Sequence, residues 1–236
     1  REKGRLRNYF HIGTGNYNSN TSRFYTDLGL LSTDPDIASD LIELFNYLSG
    51  FSKQKTYQKL LVSPTSLRKK FIFLINREIE NAQNGGKGEI IAKMNSLVDP
   101  EIIQLLYLAS QKGVKIHLII RGICCLYPQR KNLSENITVI SIIGHFLEHS
   151  RIFWFYNNNN SEVFIGSADW MKRNLDRRIE AVAPIEDLRL KSQLYSLLRT
   201  YIDDNYYSWE MNKHGVYEKK RENSNSNRSQ IDLINE

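Results

Sequence analysis

The sequence predicts an α/β fold, and three observations carry that reading. Apolar residues recur at helical spacing behind the Asp-Pro starts at Asp34-Pro35 and Asp99-Pro100, where an N-cap acceptor precedes a proline in the first turn. Short β-rich runs stand between the helical stretches. The segment from Glu89 to Ile120 reads as strand, helix and strand, about the length that a parallel crossover needs.

Taken in order, Arg7–Ile12 reads as a strand running into a loop, Gly13-Thr-Gly-Asn-Tyr-Asn18, whose glycines separate small polar residues. Ile37, Leu41, Leu44 and Leu48 mark the apolar face of a helix that ends near Ser49-Gly50. Leu67, Phe71, Leu74, Ile75, Ile79 and Ala82 line a second helix, which Asn84-Gly85-Gly86 terminates. Glu89–Met94 is a strand, Ile103, Leu106 and Ala109 lie on a third helix closed by Gly113, and Val114–Ile120 is the next strand. Three β-rich runs follow, Ile137–Ile143, Arg151–Tyr156 and Val163–Ile165, then a strand over Arg178–Ala183 and a final helix from Asp187. After Trp209 the chain turns to Lys, Glu, Asn and Ser with few apolar residues, which predicts a disordered tail over 210–236.

With 236 residues, 41% hydrophobic and 25% charged, the chain can bury a core without disulfides or metal clips. Its two cysteines, Cys124 and Cys125, are adjacent, which suits neither a cross-linked framework nor a common zinc spacing and points to a reducing compartment. No apolar stretch approaches the ~18 residues of a membrane span, and no apolar signal region follows Arg1. The expected location is cytoplasmic, with membrane association left open. A net charge of +6 favours anionic partners. Opening on Arg and directly on strand-like sequence, the chain reads as the back part of something longer.

A shift of 153 positions aligns Ile12-Gly-Thr-Gly-Asn-Tyr17 with Ile165-Gly-Ser-Ala-Asp-Trp170. Under the same shift Asp27 meets Glu180, Asp34 meets Asp187, and Leu41, Leu44 and Leu48 meet Leu194, Leu197 and Tyr201. Two related strand-loop-strand-helix units are expected, the first truncated at its front.

The candidate chemistry gathers in the second unit. His149 and Arg151 lie two apart on a strand and so share a face, where together they would meet a phosphate. Gly166-Ser167-Ala168-Asp169 then supplies a turn with a hydroxyl and a carboxylate, followed by Lys172, Arg173 and Asn174, the donors and charge that a phosphoryl group requires. Arg121, Lys93 and Asn95 stand at strand C-terminal ends, where open α/β sheets bind ligands; the alternative for Arg121 and for Lys93 is a solvated surface residue. Asn16 and Gly13 sit in a loop able to form an anion nest. Tyr25, beside Asp27, fits either a ring covering a nucleobase or a packed tyrosine. His11, His117, His145 and His214 have no such company and read as structural or solvated.

The motifs Tyr9-Phe-His-Ile-Gly-Thr-Gly-Asn-Tyr-Asn18, Tyr25-Thr-Asp27, Ile91–Asp99, Ile120-Arg-Gly-Ile-Cys-Cys125, Leu147-Glu-His-Ser-Arg151 and Gly166–Asn174 resemble, in collinear order, the C-terminal part of long-chain polyphosphate kinases of the phosphohistidine type. The resemblance implies two phospholipase-D-like domains of mixed sheets and flanking helices, with 1–58 the remainder of the first and 59–209 the complete second. It implies reversible transfer of the terminal phosphate of ATP to inorganic polyphosphate through a phosphorylated histidine. By motif, Tyr25, Arg121 and His149 fall on the ATP-contacting positions, and His149 is also the second active-site histidine. Asn16, Lys93, Asn95, Arg151, Ser167, Lys172 and Asn174 are expected phosphate or polyphosphate contacts. The family's phosphoacceptor histidine, in a His-x-Lys strand, and its magnesium-associated arginines fall upstream of Arg1, so magnesium is an expected cofactor with no ligand in this chain. ATP, ADP and polyphosphate, a homo-oligomeric full-length protein and no nucleic acid are the implied partners. Two alternatives stand beside this one. A phospholipase-D-like phosphodiesterase is opposed by Arg151, where such enzymes carry lysine, and by Asp169, where they usually carry asparagine. A non-catalytic basic polyanion-binding module agrees with the charge but gives Tyr25, Arg121 and His149 no reason to occur together.

Overall fold

A computed structural model describes residues 4, 6–53, 56–220 and 226–235. The strands are β1 (Phe10–Gly13), β2 (Tyr25–Thr26), β3 (Gly29–Ser32), β4 (Leu61–Val62), β5 (Glu89–Met94), β6 (Lys115–Ile120), β7 (Ile137–Ile142), β8 (Leu147–Glu148), β9 (Ile152–Phe155), β10 (Glu162–Gly166), β11 (Ala181–Ile185), β12 (Ser208–Met211) and β13 (Tyr217–Lys219). The helices are α1 (Pro35–Leu48), α2 (Leu67–Gln83), α3 (Pro100–Gln111), α4 (Lys172–Asp176), α5 (Leu188–Asp203) and α6 (Ser229–Asn235).

Nine strands form one mixed sheet in the order β13-β12-β7-β6-β5-β9-β10-β11-β4, parallel through β5, β6 and β7 and antiparallel elsewhere. The middle strand β5 is buried on both faces, with Ile90, Ile91 and Ala92 all at 0% exposure, as expected for strands covered by helices on either side. Phe71, Leu74 and Ile75 of α2 and Ile102 and Leu106 of α3 pack with Ile90, Ala92, Phe153 and Trp170 on one face. On the other, Leu198 and Tyr201 of α5 pack with Ile91, Ile119, Ile140 and Trp154. The expected α/β class of mixed sheets with flanking helices is what the chain adopts.

Helix starts follow their caps. Asp34 accepts from the Asp36 and Ile37 amides, Asp99 from Ile102, and Asp187 from Leu190, satisfying amides the first turn leaves open, each cap worth about 1 kcal/mol.

The repeat is carried by backbone register. β1 and β3 pair Ile12↔Leu30 and Gly13↔Gly29, and β10 and β11 pair Ile165↔Ala183 and Gly166↔Val182, the same pairs moved by 153 residues. The loops agree in detail: the Thr14 amide donates to Leu28 O at 2.9 Å and the Ser167 amide to Ala181 O at 3.1 Å. Thr14 Oγ1 donates to Asp27, and Ser167 Oγ to Glu180. The helices differ in what they bury. Leu198 and Tyr201 of α5 are 0% and 3% exposed against the large sheet, whereas their counterparts on α1, Phe45 and Leu48, are 64% and 51% exposed. Among the described residues the first unit has the two-stranded β1–β3 sheet in place of a large one, and α1 turns Ile37 and Leu44 toward Leu60, Val62 and Ala183 instead.

The expectation of a disordered tail over 210–236 is corrected. β12 adds to the β7 edge and β13 pairs with β12, burying Met211, while α6 buries Ser229 and Gln230. This stretch is held by backbone pairing and buried polar side chains, to which hydropathy is blind. Residues 221–225 and 236 of that tail lie outside the described residues.

Candidate active site

The two units meet where β2 and β8 pair in parallel, Tyr25 opposite Leu147 and Thr26 opposite Glu148. That pairing sets His149, the next residue of the second unit, beside Asp27, the next residue of the first. The His149 amide donates to Thr26 O at 3.2 Å. Its Nδ1 lies 2.9 and 3.0 Å from the two Asp27 carboxylate oxygens. The Tyr25 ring lies against the imidazole, 4.9 Å between centroids.

Asp27 is fixed from behind by Thr14 Oγ1, which donates at 2.7 Å. The Gly-Thr-Gly loop wraps it so closely that a Cβ on Gly15 would fall 2.0 Å from Asp27 Oδ2, so a side chain there would force Asp27 or the loop to shift. Burial alone would raise the Asp27 carboxyl; hydrogen bonds from His149 and Thr14, with the charges of His149 and Arg151, outweigh it and hold the group below its usual range. A carboxylate on Nδ1 selects the tautomer with its proton there, which leaves Nε2 as the acceptor facing Arg151 Nη1.

Arg151 ties the two glycine loops together. Its Nη1 donates to Thr14 O at 2.8 Å in the first loop, and its Nε to Asp169 Oδ1 at 3.1 Å in the second. Nη1 also lies 3.2 Å from His149 Nε2. Asp169 Oδ1 accepts the Asn95 amide at 2.8 Å, and Asn95 Oδ1 in turn accepts Arg121 Nε at 2.9 Å. Arg121 is exposed, and its Nη groups carry no hydrogen bond among the described residues. His149, Tyr25, Arg121, Arg151 and Asn95 thus form one connected constellation.

Other expected contacts stand differently. Lys93 is 1% exposed and does not open outward. Its ammonium meets Glu148 Oε2 at 3.0 Å and Ser150 Oγ at 2.8 Å and lies over the Tyr201 ring. Burial pulls its pKa down, and Glu148 opposes that shift. Because β5 is central in the sheet, even its last residues are covered by α5 and the chain around β8, and Lys93 is a buried ion-pair partner, not an outward phosphate contact. Ser167 and Asn174 both donate to Glu180, and Asn95 is buried, serving to hold Arg121. Lys172 on α4 and Asn16 in the first loop are exposed.

The sequence reading missed Glu148 and gave Thr14 no role. The 153-residue shift that aligned Asp27 with Glu180 also aligns Thr14 with Ser167, and this hydroxyl-carboxylate pairing was the available signal. Among the described residues, no group of three or more His, Cys, Asp or Glu is arranged to hold a metal ion. A cavity of about 920 Å³ between β4, α2 and β11, lined by Lys59, Lys69, Lys70, Glu162 and Glu186 among others, includes none of the constellation; connected donors, rather than enclosure, mark the site.

Residues 60–230 match the family model described as polyphosphate kinase C-terminal domain 2, and residues 1–54 that of polyphosphate kinase C-terminal domain 1. The chain belongs to the polyphosphate kinase family. It is 62% identical over its full length to a polyphosphate kinase of Prochlorococcus marinus (strain MIT 9313), covering 33% of that protein. Against the polyphosphate kinase of Staphylococcus haemolyticus (strain JCSC1435) it is 45% identical over 99% of the chain and 32% of the relative. The crystal structure of polyphosphate kinase from Porphyromonas gingivalis superposes with a TM-score of 0.93 at 37% identity, covering all of this chain and 36% of that one. The chain spans about a third of the length of the polyphosphate kinases it matches. Among the described residues no helix is long and apolar enough to cross a membrane.

Proposed function

We propose that this chain supplies the C-terminal part of the active site of a polyphosphate kinase, which transfers the terminal phosphate of ATP reversibly to inorganic polyphosphate through a phosphohistidine. The Asp27–His149 pair, built across the two units with Arg151 bracing both glycine loops, is the observation that carries the reading. In this scheme a histidine upstream of Arg1 is the nucleophile. Its ring nitrogen attacks the γ-phosphorus in line, a P–N bond forms as the bond to the β-phosphate oxygen breaks, and ADP leaves. A terminal oxygen of polyphosphate then attacks phosphorus and releases the histidine. His149 stands opposite, its Nδ1–H fixed by Asp27 and its Nε2 beside Arg151 Nη1, so that a phosphoryl oxygen entering between them meets the guanidinium and takes over the contact to Nε2, which then holds or moves a proton there. Arg121 offers its Nη groups to the nucleotide phosphates, and Tyr25 covers the nucleotide beside His149.

The repeat extends the scheme. Asp27 of the first unit orients the histidine of the second, so Glu180, its counterpart, is assigned to orient the upstream histidine of the first. Ser167 and Asn174 hold Glu180 as Thr14 holds Asp27. Homo-oligomerisation and a magnesium requirement belong to the full-length protein, and no step is assigned to the metal here.

Phosphodiester hydrolysis fits less well, because Arg151 is spent on Thr14 O and Asp169 and does not take the role of a free lysine. Incubation of the full-length protein with γ-labelled ATP and polyphosphate, and separately with phosphodiesters, tests the reading. Label entering polymer supports it; diester cleavage without transfer refutes it.

A further inference from the structure

We infer that Gln230, on the C-terminal helix α6, is a positioning residue for the Asp27–His149 pair. The inference rests on the transfer reaction proposed above, but its geometry stands alone. Gln230 is 3% exposed, and its amide behaves as a one-residue strand alongside the chain that leads into β8. The Phe146 amide donates to Gln230 Oε1 at 3.0 Å, and Gln230 Nε2 donates back to Phe146 O at 2.9 Å. The same Nε2 donates to Glu148 Oε1 at 2.7 Å. Gly144 makes room for this arrangement: a Cβ there would lie 2.3 Å from Gln230 Oε1.

Glu148 is the junction. It is 3% exposed, and its second oxygen takes Thr26 Oγ1 at 2.9 Å and Lys93 Nζ at 3.0 Å. One carboxylate therefore joins the tail, the core of the second unit and the β2 strand of the first. Its neighbour in sequence is His149, and the neighbour of Thr26 is Asp27. Gln230 thus clamps the short β2–β8 pairing that brings imidazole to carboxylate. A two-residue ladder has little backbone stability of its own, so its register depends on such side-chain ties. Helix α6 is anchored separately by the Ser229 amide on Asp204 Oδ2 at 2.7 Å, so losing the Gln230 amide leaves the helix docked.

The test uses the full-length enzyme with Gln230→Met, which keeps the side-chain length without the hydrogen bonds, alone and combined with Asp27→Asn. If Gln230 acts through the pair, Q230M lowers kcat for polyphosphate synthesis about tenfold. In the D27N background it adds no more than about twofold, because the interaction it sets is already broken. The His149 amide, which donates to Thr26 O, exchanges its hydrogen about tenfold faster in Q230M, a larger change than at the amides of the central β5–β6 ladder, which report global stability. Multiplicative losses in the double variant, or unchanged exchange at His149, overturn the proposal. If the wild-type protein transfers no phosphate from ATP to polyphosphate, the functional reading fails instead, and exchange alone decides the role of Gln230.

Discussion

Asp27 and His149 come from different copies of an internal repeat and meet at 2.9 Å through the imidazole Nδ1. Each is the residue that follows a two-residue strand, and the two strands pair in parallel. The contact is therefore set by backbone register, and it fails if either glycine loop shifts.

Asp27→Asn is expected to lower kcat of the full-length enzyme by about 100-fold, within the usual range for losing a positioned acid-base group, with little change in ATP affinity. An amide in place of the carboxylate removes the charge that favours the Nδ1–H tautomer. Steady-state kinetics with a separate ATP titration checks the split.

The same carboxylate has a pH signature. Its folded pKa lies below the unfolded value of about 4, so its stabilisation is present above that pH and is lost as pH falls through the lower folded value. Melting curves of wild type and D27N should differ at pH 7 and converge as the solution is taken below pH ~4.

Gly15→Ala should reproduce much of the D27N loss, since its methyl would occupy the space of Asp27 Oδ2. Equal activity of G15A and wild type would show that the loop yields.

Lys93→Met should destabilise the protein by about 3–5 kcal/mol, because it leaves Glu148 buried with its cation removed. Adding Glu148→Gln should recover part of that loss. Urea unfolding measures both, and a loss of ATP affinity with unchanged stability would return Lys93 to a phosphate contact.

Arg121→Ala is expected to weaken ATP binding by about 1.5–3 kcal/mol, the size of a charge-assisted hydrogen bond. Calorimetric titration of the full-length protein measures it. Unchanged affinity would make Arg121 a strand-end residue held by Asn95 and nothing more.

Much of the architecture was legible because local chemistry agrees with the global fold. Asp34, Asp99 and Asp187 start helices in sequence and in structure, and the 153-residue repeat reappears as identical strand register. His149 and Arg151 were legible as neighbours, although they lie between β8 and β9 and not on a strand, and meet through Arg151 Nη1 and His149 Nε2. Their distant partners were not, since nothing local marks Asp27 as the group that meets His149, or Gln230 as the group that reaches Glu148. Lys93 shows the opposite failure: a charged residue ending a strand looks solvated until the sheet order puts that strand in the middle. The strands β2 and β8 have two residues each, too short for any periodicity to reveal.

The most direct test of the central claim is the position of the phosphoryl label. The full-length protein is incubated with γ-labelled ATP, and the acid-labile, base-stable label is mapped in wild type and in His149→Ala. The label is expected on a histidine upstream of this chain, with polymer synthesis lost in H149A. Stoichiometric label on His149 itself would contradict the account and make His149 the nucleophile.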